Sequence, residues 1–168
     1  PRFPASTADS NDICARVYDV IIAALGKALP DKAVAMNATS PFFAFVSGQD
    51  DATGEFYTSP LIVTGGWGAR SFKDGVSVFY AAPSNCPNLP VELMEVKYPV
   101  LVQQRALWED SGGAGVFRGG LGEVEDIQIL SPNGAVLNLL GDRTRFQPAG
   151  ASGGKAGKAA EARLIRNG

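Results

Sequence analysis

The sequence predicts an α+β fold: one long N-terminal helix followed by mainly antiparallel strands and glycine-rich loops. Three observations predict it. One stretch near the start repeats apolar residues with a helical period. Most of the remainder consists of short apolar or alternating runs, broken by Pro, Gly and Asp. The helix precedes the strands rather than alternating with them, which favours segregated elements over a parallel βαβ sheet.

The helix is written in "DSNDICARVYDVIIAALGKALP". Asp9, Ser10 or Asn11 can cap its start by accepting hydrogen bonds from free backbone N–H groups. Ile13, Cys14, Val17, Tyr18, Val20, Ile21, Ala24, Leu25 and Ala28 make a wide apolar face. Asp12, Arg16, Asp19 and Lys27 make a narrow polar stripe. A face this wide predicts a mostly buried helix, with Cys14 as core filler. Pro30 ends it.

Short β-like runs follow at residues 33–38, 42–46, 55–63 and 76–80. "TGGWGARSFKDG" forms a first glycine loop. "NLPVELMEVKYP" predicts a short helix, with Asn88 near its cap, Pro90 in its first turn and Glu92 and Glu95 favouring its positive end. "VLVQQRALW" reads as a strand. "EVEDIQIL", the turn "SPNG" and the return "AVLNLL" read as a hairpin. "GGKAG" is a third glycine loop. Residues 163–166 read as a short strand, and Asn167-Gly168 as the start of a hairpin turn. A turn with no return strand, and a start at Pro1, suggest a piece of something longer.

Composition excludes several functions. The 168 residues suffice for one domain with a sizeable core. A net charge of −2 gives no electrostatic reason to expect nucleic acid or an anionic membrane. The sequence contains no histidine, so a Ser-His-Asp triad within this chain is impossible. Two cysteines, Cys14 and Cys86, are too few for a disulfide scaffold or a four-cysteine zinc site, and are expected to be reduced. No metal site is expected on this chain, and its catalytic residues are not identified by sequence.

The most unusual stretch is "DSGGAGVFRGGLG", in which six of thirteen residues are glycine. Glycine allows positive φ and close approach of backbone to backbone or ligand. The loop therefore reads either as tight turns or as a cradle of N–H groups for an anion. It matches no phosphate-binding fingerprint and leads into a strand, not a helix. Arg118 inside it can clamp a carboxylate or phosphate, or pair with Asp110 or a nearby Glu. Ser111 reads as a turn residue bonding local backbone. Glu92 and Glu95 share a helix face, for acid–base work or as partners of the helix dipole. Trp67 stacks on a ligand or fills the core, and Asp142-Arg143 reads as a local ion pair. The candidate substrate-binding set is Trp67, Glu92, Glu95, Asp110, Ser111, Gly112, Gly113, Arg118, Gly119 and Gly120.

"ARVYDVIIAALGKALPDKAVA", "GGWGARSFKDG", "NLPVELMEVKYPV", "DSGGAGVFRGGLG" and "GDRTRFQPAGASGG" occur in this order. Together they resemble the hydantoinase B/oxoprolinase family, which includes N-methylhydantoinase B subunits, half of 5-oxoprolinase, and acetone and acetophenone carboxylase subunits. One departure is local: Ala149 stands where the family usually carries an aromatic. The resemblance implies that residues 1–168 are a single C-terminal portion of a B-like subunit. It implies a hydantoinase A-like partner that binds ATP and Mg, and a divalent metal held in the earlier part of the subunit. The implied function is cytoplasmic, ATP-dependent hydrolysis of a cyclic amide or carboxylation of a ketone. The alternative is a non-catalytic module for structure and assembly.

Overall fold

The computed structural model describes residues 11–39, 41–80 and 86–166. The α+β class holds. Helix α1 spans Asn11–Ala28, followed by a 3-10 turn at Pro30–Lys32. The predicted caps Asp9 and Ser10 lie outside the described residues, as does the turn at Asn167-Gly168. Strand β1 (Phe42–Gln49) pairs antiparallel with β2 (Phe56–Val63). Helix α2 (Val91–Lys97) leads into β3 (Val100–Leu107), which pairs antiparallel with β4 (Glu123–Ile129). Strand β5 (Val136–Leu140) returns to the other side of β1, giving one sheet ordered β2-β1-β5 and a second of β3-β4.

The main core lies where the two sheets and α2 meet. Met94 of α2 packs with Val46, Tyr57 and Leu61 of the first sheet and Val100 of the second, backed by Ile127 and Ile129. Alternation in β2 explains the placement: Tyr57, Ser59 and Leu61 point inward while Phe56, Thr58 and Pro60, alternating with them, are exposed. Burying a side chain such as Met94 contributes about 1.5–3 kcal/mol.

Five local expectations are corrected. Residues 33–38 and 76–80 form no strands; they are loops, with Val78 at φ 47°, that hydrogen-bond to the glycine loops, as with Ala38 N–H to Gly66 O and Val78 N–H to Leu121 O. Residues 163–166 are not a strand either. The turn at 131–134 forms, with Gly134 at φ 80° and its N–H on Ser131 O. Its flanking strands do not make a hairpin, because β4 pairs with β3 and β5 with β1. At α2, Pro90 takes the cap position, and Asn88 instead donates to Ile62 O at 2.8 Å.

The larger correction concerns α1. Ile13, Val17, Val20, Ile21 and Leu25 are all at least half exposed, while Ala15 and Asp19 are buried. The helix thus docks through a small residue and a residue of its polar stripe. Cys14 is exposed, not core filler, and Cys14 and Cys86 are both free thiols.

The glycine loops pack backbone on backbone. A Cβ on Gly113 would stand 2.1 Å from Lys155 O, and one on Gly66 2.0 Å from Gly120 O. A Cβ on Gly120 would stand 2.0 Å from Val76 O. None of these three has positive φ, so closeness and not turn geometry demands glycine there. Gly120→Ala should therefore destabilise the chain by about 1–3 kcal/mol or more, as an overpacked site does. Gly122→Ala, whose Cβ would meet nothing nearer than 3.8 Å, should leave stability within about 1 kcal/mol. Urea unfolding of the two variants checks the difference.

Candidate functional site

The loop at 108–122 is closed by one hydroxyl. Ser111 Oγ donates to Trp108 O at 2.7 Å and accepts from Gly122 N–H at 2.8 Å, and Trp108 N–H bonds Gly122 O at 2.7 Å. Ser111 is thus the turn residue the sequence predicts. The third glycine loop adds to this one through Lys155 N–H to Ala114 O and Lys158 N–H to Ser111 O. The first joins through Gly120 N–H to Trp67 O and Glu123 N–H to Thr64 O. The three loops form one bundle held by short main-chain bonds.

This bundle walls a groove of about 1120 Å³ between the two sheets. Trp67, Ser111, Gly113, Gly119 and Gly120 line it, so five of the ten predicted residues share one cavity. Trp67 is half-buried; its indole N–H donates to Tyr80 O at 3.1 Å and its ring meets Phe79 edge-on at 5.0 Å. The other five do not line the groove. Glu95 accepts the Val102 N–H at 2.9 Å, beside the register shift between Val102 and Gln104. Glu92 is exposed in the first turn of α2, Asp110 is exposed at φ 56°, and a Cβ on Gly112 would stand 2.2 Å from Gly119 O.

Arg118 pairs with neither Asp110 nor a glutamate. Its partner is Asp74, which accepts the Arg118 backbone N–H at 2.9 Å and lies 3.5 Å from its Nε. Both side chains are more than half exposed, so this pair is worth at most about 1 kcal/mol.

Sequence reasoning missed two charged clusters. On β4, Glu123 and Glu125 both face Arg105. Glu123 Oε2 holds the Thr64 N–H and Oγ at 3.0 and 3.1 Å, while Glu125 Oε1 accepts from Arg105 Nε at 2.9 Å. The Glu125 side chain is fully buried and its Oε2 has no partner among the described residues. Burial pushes its carboxyl above the usual value; Arg105 opposes the rise and Glu123 adds to it. The signal in sequence was two acidic residues, Glu123 and Glu125, sharing a strand face with Ile127 and Ile129.

The second cluster ties α1 to the loops. Asp19 Oδ2 pairs with Arg143 Nη2 at 2.6 Å, Asp19 Oδ1 accepts from Asn37 Nδ2 at 2.9 Å, and Arg143 Nε donates to Thr39 Oγ1 at 2.6 Å. Burial raises the Asp19 carboxyl above its ordinary value, against the bonds from Asn37 and the charge of Arg143. Asp142 pairs with Arg16 at 2.6 Å. The predicted local Asp142-Arg143 pair is therefore replaced by two long-range pairs, both to α1. Thr39 at φ 74° and Arg143 at φ 59° hold left-handed backbone to make this contact.

Among the described residues, no three His, Cys, Asp or Glu side chains come together as a metal site would require, and no helix is long and apolar enough to cross a membrane.

An α+β unit built on three interlocked glycine loops beside an intersheet groove defines a class of chain rather than a reaction. This chain belongs to the Hydantoinase B/oxoprolinase family, which it matches over residues 1–168. It is 35% identical to an uncharacterised protein of Methanocaldococcus jannaschii, over 100% of this chain and 29% of that one. It is 30% identical to a 5-oxoprolinase of Dictyostelium discoideum, over 92% of this chain and 11% of that one. The chain thus spans less than a third of either relative. Its fold resembles that of nucleotide-free acetone carboxylase, with a TM-score of 0.64 and 21% identity, covering 81% of this chain and 18% of that one.

The Glu125 carboxyl yields a pH prediction. A folded-state value above the ordinary 4.5 means that the folded chain binds a proton more readily than the unfolded one. Its contribution to stability is full below 4.5 and is lost as pH rises through the raised value. Between neutral pH and about 4.5, Glu125 should therefore raise the melting temperature as pH falls. Glu125→Gln should flatten that part of the curve. A series of thermal melts of both proteins at stepped pH measures it; parallel curves would contradict the assignment.

Proposed function

We propose that this chain is the C-terminal portion of a hydantoinase B-like subunit. It acts in the cytoplasm within a complex whose hydantoinase A-like subunit binds ATP and Mg. The complex opens a cyclic amide of the hydantoin or 5-oxoproline type. The observation that carries this reading is family membership over residues 1–168 together with the groove beside the family's glycine motif. The similarity to a 5-oxoprolinase favours a lactam over a ketone, since the likeness to acetone carboxylase is one of fold.

In this reading the amide oxygen accepts the γ-phosphoryl group of ATP and ADP leaves; one water adds to the activated carbon and the ring C–N bond breaks, giving a free amine and an acyl phosphate, which a second water hydrolyses to carboxylate and phosphate. The divalent metal belongs to the earlier part of the subunit, and no step is assigned to a metal on this chain. The part played by this chain is shape and orientation. Its fixed loop bundle holds Trp67 at the groove wall and presents Arg118 just outside, where its exposed guanidinium is free to turn toward a carboxylate or phosphoryl oxygen on a neighbouring surface.

A second reading, a non-catalytic assembly module, is favoured by two observations. Arg118 and Trp67 do not converge in the groove, and the apolar side of α1 is exposed. Assays of the complete subunit with its ATP-binding partner test the lactam assignment. ATP hydrolysis coupled to ring opening of 5-oxoproline or hydantoin is expected; coupling to acetone carboxylation alone would overturn the lactam assignment. The 168-residue chain by itself should show no turnover above a no-protein control.

Arg118→Lys in that complex keeps the charge and removes the fork. Losing one charge-assisted bond costs about 1.5–3 kcal/mol, so kcat/KM should fall roughly ten- to hundredfold. Thermal stability should hardly change, because the Asp74 pair is exposed. A variant that keeps its rate but loses subunit association points to the assembly module.

A further inference from the structure

Strand β5 is a sheet edge. It pairs with β1 on one side and with no strand among the described residues on the other. All five of its residues are exposed, four of them Val or Leu. An edge of this kind, uncharged and apolar, is a template for another strand.

The segment that follows the third glycine loop is directed toward that edge. It runs antiparallel to the chain leaving β5: the Gly157 N–H bonds Pro148 O at 3.0 Å, and the Ala160 N–H bonds Arg143 O at 3.0 Å. Carrying the Ala160–Arg143 register forward sets Leu164 opposite Leu139, Ile165 opposite Asn138 and Arg166 opposite Leu137. Leu139 is already the partner of Ala44, and Ala44 of Leu61. Leu164 would therefore lengthen the row Leu61–Ala44–Leu139, and all four residues line the groove. Ala162 and Leu164 share one face of such a strand, with Arg163 and Ile165 on the other, as a period of two requires. In the structure this segment is unpaired, with Leu164 65% and Ile165 80% exposed.

We propose that residues 161–166 are a strap that adds to the outer edge of β5 as a fourth antiparallel strand, carrying Leu164 across the open side of the groove. Closure gives the edge its missing main-chain bonds and covers apolar surface on Leu139 and Leu164 at once. The price is modest: the exposed Glu161–Arg163 pair has to rearrange, and such pairs contribute little. The strap does not depend on which reaction the complex performs.

Amide hydrogen exchange on the full chain tests it. The outward N–H groups of β5 should exchange slowly, and should speed up tenfold or more when residues 161–168 are deleted or Leu164 is replaced by Pro. Amides paired between β1 and β2 serve as the control for an intact sheet. Cross-strand Hα contacts between Leu164 and Leu139 in the unsubstituted chain report the pairing without any variant. Absence of those contacts, or equal β5 exchange in all three proteins, overturns the proposal. Protection that disappears on dilution overturns it too, because the edge would then be occupied by a second copy.

Discussion

The structure depends on a contact in which side chains take no part. Three loops meet with carbonyl oxygens about 2 Å from where the Cβ atoms of Gly66, Gly113 and Gly120 would be. At that separation only hydrogen fits, so the spacing of the loops is set by the glycines. The bundle then acts as a rigid hub. Through Thr64 it holds Glu123 and the start of β4; through Ser111 it closes its own loop; through Arg143, just before the third loop, it reaches α1. Sheet edges, groove wall and helix are all referred to one set of main-chain bonds.

The position of α1 follows from that hub and from Ala15, buried against Tyr80, Phe43 and Ile62, rather than from its wide apolar face. Asp19 is buried with Arg143, Asn37 and Thr39, and two residues of this cluster accept left-handed backbone to complete it. A β-branched residue such as Thr39 pays about 1–3 kcal/mol for that conformation. Breaking a buried pair by removing one partner typically costs about 3–5 kcal/mol because the other charge is left buried and unpaired, so neither Asp19 nor Arg143 can be removed alone without loss. The helix is held by charge on one side, which leaves Val17, Val20 and Ile21 exposed on the other. An amphipathic helix docked by its polar stripe leaves an exposed apolar face of the kind that marks an interaction surface.

Much of the fold was legible because it is local. The period in residues 11–28 gives α1, the alternation in "EVEDIQI" gives β4, and "SPNG" gives its turn. What the sequence left hidden is non-local. Periodicity shows that α1 has two faces without showing which one meets the rest of the chain, because that choice was made by Arg143, 124 residues away. Turn chemistry bends the chain at 131–134, yet partner choice for β5 lies with β1 and not with β4. The candidate site divides in the same way. Ser111 and the glycines were readable from their own loop, whereas the partners of Arg118 and Glu95 come from Asp74 and the bulged edge of β3.

The division between groove and rim bears on how such a surface works. Inside, Glu123 and Glu125 are buried and each is held by Arg105 behind them, which makes them poor at turning toward anything new. Outside, Arg118 is fixed at its backbone by Asp74 while its guanidinium remains in solvent. A cation whose main chain is anchored and whose side chain is paired only weakly in solvent can exchange that partner for an incoming anion at little cost. A rigid glycine hub bearing one such cation at its rim suits a surface completed by a neighbour, where the groove supplies shape and the rim supplies charge.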